Sequence, residues 1–94
     1  MLEGFDKAFE NKIRLGMMSA LMVNDWVDFT ELKSLLNVTD GNLASHSSYL
    51  EKIGYIEVRK SFIGKKPNTG YRATKSGKTA FQIHLKALEK ILKP

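Results

Sequence analysis

Residues 39–54, TDGNLASHSSYLEKIG, carry their own start and stop signals. Thr39 can accept a hydrogen bond from a first-turn backbone N–H, Asp40 sits at the positive end of a helix dipole, and Gly54 suits the left-handed position just past a helix end. The stretch therefore reads as a helix bounded on both sides. At about 100° per residue, Leu43, Ser47 and Leu50 share one face with Ile53 at its flank, while Gly41, Asn42, Ser45, Ser48, Tyr49 and Lys52 face the other way. Small, largely uncharged hydrogen-bonding groups on that outer face would let the helix approach base edges in a DNA major groove. The same polarity also serves solubility alone, so the flanking sequence has to decide.

On the N-terminal side, Thr30 caps a helix through Leu36 with Leu32, Leu35 and Leu36 inward, and residues 37–39 form a tight connection into the second helix. Helix, short turn, capped helix is the helix-turn-helix arrangement. On the C-terminal side the apolar period changes to two. Ile56, Val58 and Phe62 alternate with Glu57, Arg59 and Ser61 in a strand over 55–62, residues 63–70 (IGKKPNTG) have turn composition, and 71–73 return as a second strand. The tip of this hairpin carries Lys65 and Lys66.

Further out, residues 5–24 place Phe5, Ala8, Phe9, Ile13, Gly16, Met17, Ala20 and Leu21 at helical spacing, which predicts one long amphipathic helix. Met17, Met18 and Met22 are expected as core filler, and Gly16 as a point where another helix approaches closely. Residues 26–29 (WVDF) read as a short extended stretch. Thr74 opens the last helix, with Ser76 as a competing cap, and Phe81, Leu85, Leu88, Ile91 and Leu92 form an apolar stripe to its end. The expected fold is mainly α with a small β-hairpin (α+β), a winged helix-turn-helix with long N- and C-terminal helices. The stripe needs a cover, either within the monomer or in a two-fold dimer built from 1–24 and 76–94.

Composition narrows the function. The 94 residues suffice for a single domain, 1–94, and not for two independent cores. The absence of cysteine excludes disulfides, zinc ribbons and cysteine nucleophiles. No run approaches the roughly 18–20 apolar residues needed to span a bilayer, so a soluble, cytoplasmic protein without a membrane partner is expected. The net charge of +5 is unevenly placed: residues 1–57 carry five basic and nine acidic side chains, residues 58–94 ten basic and one acidic. A basic segment of this kind attracts polyanions. No paired-carboxylate frame, nucleophile motif or nucleotide-binding loop is present, so no enzyme and no cofactor are expected. His46 and His84 are too isolated to argue for a metal.

The order of elements, together with VTDGNL at 38–43, Leu50, Gly54, Tyr55, Lys60 and Phe62, and the spacing GKKPxTxYxxTxxGK from Gly64 to Lys78, resembles the small winged helix-turn-helix transcriptional regulators. These are related to the multiple-antibiotic-resistance and arsenical-repressor regulators, and the nearest likeness is to the compact family called the winged-helix DNA-binding domain. The likeness covers about 10–93. It implies a dimer that places one recognition helix per subunit in the major groove and lays the wing beside it. By residue, it implies that Thr39, Asn42, Ser45 and His46 lie near DNA, as do Lys65, Lys66 and Thr69 in the wing. Ser47 departs from the pattern, which usually has a leucine there. If buried, it needs a neighbour such as Trp26 or a methionine to fill the space.

These readings combine into a homodimeric, sequence-specific regulator that binds double-stranded DNA, with recognition helix 39–53 in the major groove and basic wing 59–72 on the backbone or minor groove. Asn42, Ser45 and Tyr49 are the candidates for base edges. Thr39, Lys52, Lys65, Lys66 and Arg72 are those for phosphates, with Thr69 beside them. His46 reads equally as a phosphate contact or a partly buried structural residue, and His84 as a helix–helix contact. Competing readings are a protein-docking module using the terminal helices and an RNA binder that stacks bases on Tyr49 and Phe62. No residue signals a small-molecule effector.

Overall fold

A computed structural model describes residues 2–93. The N-terminal segment is two helical pieces instead of the single expected helix. A 3₁₀ turn covers Lys7–Phe9, and α1 spans Lys12–Val23. Two local caps cause the break. Asp6 accepts from the Ala8 N–H, and Asn11 accepts from those of Ile13 and Arg14 at 2.9 and 3.1 Å. Each cap starts a helix of its own.

After the short strand β1 (Val27–Asp28), α2 runs over Phe29–Leu36. Its cap is Asp28, whose Oδ1 accepts from the Glu31 N–H at 2.9 Å, and not the expected Thr30. Phe29, Leu32 and Leu36, spaced three and four apart, form its inner face, so Leu35 points outward and is 65% exposed, contrary to expectation. Asn37 then adopts the left-handed conformation (φ 53°) that turns the chain into α3.

Helix α3 spans Asp40–Lys52, and Thr39 caps it by accepting from the Asn42 N–H at 3.1 Å. It ends as its sequence indicates. Gly54 has φ 82°, and the N–H groups of Gly54 and Tyr55 donate to the carbonyls of Glu51 and Leu50, which closes a Schellman motif.

Strands β2 (Ile56–Ile63) and β3 (Lys66–Ala73) pair antiparallel along their whole length, and β1 adds to the other edge of β3 at Gly70 and Tyr71. The loop expected over 63–70 is thus mostly strand, and only Gly64 and Lys65 make the turn. Gly64 has φ 64° and Lys65 a negative φ, the pattern of a type II′ hairpin turn. Ile63 and Lys66 close that turn as a hydrogen-bonded pair, so Phe62 and Pro67 face each other as a non-bonded pair. The missing N–H of Pro67 therefore costs the ladder nothing. Helix α4 (Lys75–Leu92) follows directly, capped by Thr74.

The core lies between α1, α2, α3 and the base of the sheet. Met17, Met18, Leu21, Leu32, Leu43 and Leu50 are fully buried, and a Cβ on Gly16 would sit 2.8 Å from Leu36, which is the close helix approach expected there. Ser47 is buried, and its hydroxyl donates to the Ala44 carbonyl at 3.1 Å. Tyr71, on β3, brings its hydroxyl against that of Ser47, and burial pushes the Tyr71 phenol above its ordinary pKa.

The N-terminal segment is tied down by Asp6. Its N–H donates to Nδ1 of buried His84 at 3.0 Å, and its Oδ2 accepts from the Tyr55 hydroxyl at 2.5 Å. Phe9 packs edge-on against Phe81 and His84.

Candidate nucleic-acid interface

Helix α3 is held by Leu43, Ser47 and Leu50, and the opposite side is open. Gly41, Ser45 and Lys52 occupy the outermost stripe, with Ser48 turned toward the wing and Asn42 and Tyr49 toward α1. Thr39 and Asn42 sit together at the N-terminal end, where Thr39 is engaged as the cap. The Lys33 ammonium meets the Asp40 carboxylate at 2.7 Å, linking α2 to the start of α3.

On the α1 side one residue organises two of the candidates. The Arg14 guanidinium lies 4.1 Å from the centre of the Tyr49 ring, donates to Nδ1 of His46 at 3.2 Å and, through Nε, to the Ala8 carbonyl at 2.7 Å. His46 is thereby half-buried against α1. Its burial, and secondarily the Arg14 charge, hold its pKa below that of a free imidazole. Tyr49 remains 38% exposed with its ring anchored.

The wing faces α3 across a cleft of about 240 Å³ lined by Ala44, Ser47, Ser48 and Glu51 on the helix, by Val58, Lys60, Thr69 and Tyr71 on the strands, and by Phe29 at its base. Register explains this lining. Cross-strand partners share a face, so the pairs Val58–Tyr71, Lys60–Thr69 and Phe62–Pro67 all lie on the α3 side. Lys65 and Lys66 are exposed at the far end.

The opposite face carries Glu57, Arg59 and Arg72. Trp26 lies between the two arginines, 4.1 Å from Arg59 and 4.7 Å from Arg72, ring centre to guanidinium. Arg72 also pairs with Glu57 at 2.9 Å and approaches Asp25 at 3.8 Å.

The structure thus gathers Thr39, Asn42, Ser45, Tyr49 and Lys52 on one open face of α3, with His46 at its α1 edge. It adds Thr69 on the α3 side of the wing and Lys65 in its turn, while Lys66, paired with Ile63, falls on the opposite face. It sets Arg72 on the other side of the sheet among carboxylates. Lys60 and Ser48 line the cleft between helix and wing, and neither is among the contact residues expected from sequence. Alternation from Val58 is the signal that finds Lys60. In sequence Arg14 reads only as solvent-facing, because its three partners come from other parts of the chain.

Among the described residues no group of three His, Cys, Asp or Glu side chains is placed to hold a metal, and no helix is long and apolar enough to cross a membrane.

Known proteins share this architecture. A transcriptional regulator homologue from Pyrococcus horikoshii superposes with a TM-score of 0.83 at 29% identity, covering 90% of this chain and 84% of that one. HlyU from Vibrio cholerae superposes with a TM-score of 0.68 at 24% identity, over 82% of this chain and 79% of its own, a likeness of fold. In sequence, an uncharacterized protein of Methanocaldococcus jannaschii is 34% identical over 79 residues, 84% of this chain and 86% of that protein. Residues 13–92, from within α1 to the end of α4, match the family described as the winged helix DNA-binding domain. Because the capped helix pair, the two-stranded wing and this match all coincide, the chain belongs to the winged helix DNA-binding domain family.

Proposed function

We propose that the protein is a homodimeric transcriptional regulator that binds double-stranded DNA sequence-specifically, with α3 in the major groove and the wing against the adjoining backbone or minor groove. One observation carries the reading. The open face of α3 presents Asn42, Ser45 and Ser48, short polar groups able to meet base edges, and it is bordered by Lys52 and Lys60, with Lys65 and Lys66 exposed at the wing tip, positions suited to phosphates.

The dimer reading rests on α4. Its inward face is filled by Phe81, His84 and Ala87, while Leu85, Leu88, Ile91 and Leu92 are 42, 41, 37 and 70% exposed. Such a row on a terminal helix suits a two-fold contact with its own copy. The apolar side chains of α1 are mostly buried within the monomer, which leaves α4 as the main contributor. The Pyrococcus horikoshii relative, described as a transcriptional regulator homologue, agrees with a regulatory role.

The test is a titration of the purified protein on random duplex DNA at two salt concentrations, with sequencing of the bound fraction. Recovery of a two-fold symmetric site with half-sites about 10 base pairs apart, and affinity falling steeply with salt, is the expected result. Negligible binding at both salts would overturn it and favour a protein-docking role for the same helices.

A further inference from the structure

The wing outruns the core. Val58 and Tyr71 are the last pair packed beneath α3, yet β2 continues to Ile63, and at strand spacing Phe62 stands about 13 Å beyond Val58. Strand β1 pairs only at Gly70 and Tyr71, so from Thr69 outward the wing is a free two-stranded ribbon. At its outer end Phe62 is 73% exposed. Its cross-strand partner is Pro67, and both face the α3 side, one step beyond Lys60 and Thr69. Reading outward from the core, that face is apolar, then basic and polar, then apolar again.

Among the described residues nothing covers Phe62, and solubility alone would favour a polar residue at a hairpin tip. Charge identifies the occupant. Lys60, Lys65 and Lys66 surround the tip and no carboxylate lies between Val58 and Leu88, so an identical tip would be repelled and a polyanion attracted. A narrow ribbon with an apolar tip and basic shoulders suits a minor groove, where phosphates flank a stack of bases that an apolar side chain can pry apart.

We infer that Phe62, backed by Pro67, is an apolar wedge that enters the minor groove beside the segment under α3 and partly unstacks one base step in each half-site. This rests on the DNA-binding reading above. It assigns the wing a role in reading DNA deformability as well as in neutralising phosphate. Flexible pyrimidine–purine steps would be favoured at the wedge position without any hydrogen bond to them.

The experiment uses the full chain and the selected duplex, with 2-aminopurine placed in turn at each position flanking the half-sites. Fluorescence should rise on binding at one step per half-site. Phe62→Ala should abolish that rise and weaken binding to the selected site about tenfold, as expected when a large apolar side chain is truncated, with an unchanged salt slope because no charge is removed. Phe62→Leu should retain most of the affinity. Because Phe62 is exposed, both variants should melt like the wild type. Salt-dependent binding with no fluorescence rise at any position overturns the wedge and leaves DNA binding standing, whether or not Phe62→Ala weakens affinity. Absence of DNA binding at either salt overturns both.

Discussion

Single residues act here through partners that differ in kind. Asn42 is open on α3, and among the described residues its side chain has no hydrogen-bond partner, since Thr39 uses the Asn42 backbone N–H. Replacement by Ala should therefore leave stability within about 0.5 kcal/mol and shift base preference at one position of the site. Selection and sequencing with the variant would show this, and equal losses on selected and random duplexes would contradict a base-reading role.

Tyr55 is the opposite case, structural and titratable. Donation to the Asp6 carboxylate, aided by burial, pushes its phenol up to about 12. The folded state thus holds the proton more tightly than an unfolded chain, whose tyrosine titrates near pH ~10. The stabilisation is complete below about pH 10 and disappears as the pH rises through about 12. Tyr55→Phe should cost about 2 kcal/mol at neutral pH, the net worth of one hydrogen bond to a charged group. In urea unfolding, the gap between the two proteins should close between about pH 10 and 12. A constant gap would show that the hydroxyl does not anchor the N-terminal segment.

At the scale of elements, the wing is the part whose charge and shape separate most cleanly. Lys65 and Lys66 stand on and beside a two-residue turn and touch no carboxylate in any ion pair seen among the described residues. Changing both to Ala should weaken binding to selected and random duplexes alike. It should also reduce the salt slope by about 0.9 for each phosphate no longer neutralised. Binding titrations at several salt concentrations decide this, and an unchanged slope removes the tip from the phosphate interface.

The junction of wing and α4 shows a further constraint of element packing. A Cβ on Gly77 would collide with the Tyr55 carbonyl oxygen, which itself accepts from the Thr74 N–H at 3.0 Å. Helix α4 can start where it does only because residue 77 has no side chain. The sequence shows a glycine near a helix start, but the backbone it meets comes from 22 positions earlier and cannot be seen locally.

For the whole molecule, the exposed apolar row of α4 calls for a cover. Leu88 continues the Phe81 and His84 face of α4 toward its end and is 41% exposed there, so Leu88→Lys should fold normally and fail to self-associate. Analytical ultracentrifugation should then find a monomer. Affinity for a two-half-site duplex should fall about a hundredfold or more while half-site binding persists, because the second binding event is no longer intramolecular. A variant that remains dimeric would place the two-fold contact elsewhere.

What the sequence determined by itself was local or periodic. Thr39, Thr74 and Gly54 mark helix ends because a cap is made with backbone a few residues away. The two faces of α3 and the alternation of β2 follow from fixed periods, and the basic bias after residue 57 is a matter of counting. Tertiary structure decided whatever depends on distant partners or on competition between nearby signals. Asn11 and Asp28 won the competition for helix starts, and strand pairing absorbed most of the turn-like stretch 63–70. Tyr71 met Ser47, Arg14 gathered Tyr49 and His46, and sheet register put Arg72 with Glu57, and Lys60 beside α3. The physical reason is the range of the interactions. Caps and periods are settled within a turn or two of chain, whereas burial, ion pairing and the facing of one element to another exist only once segments far apart in sequence have packed.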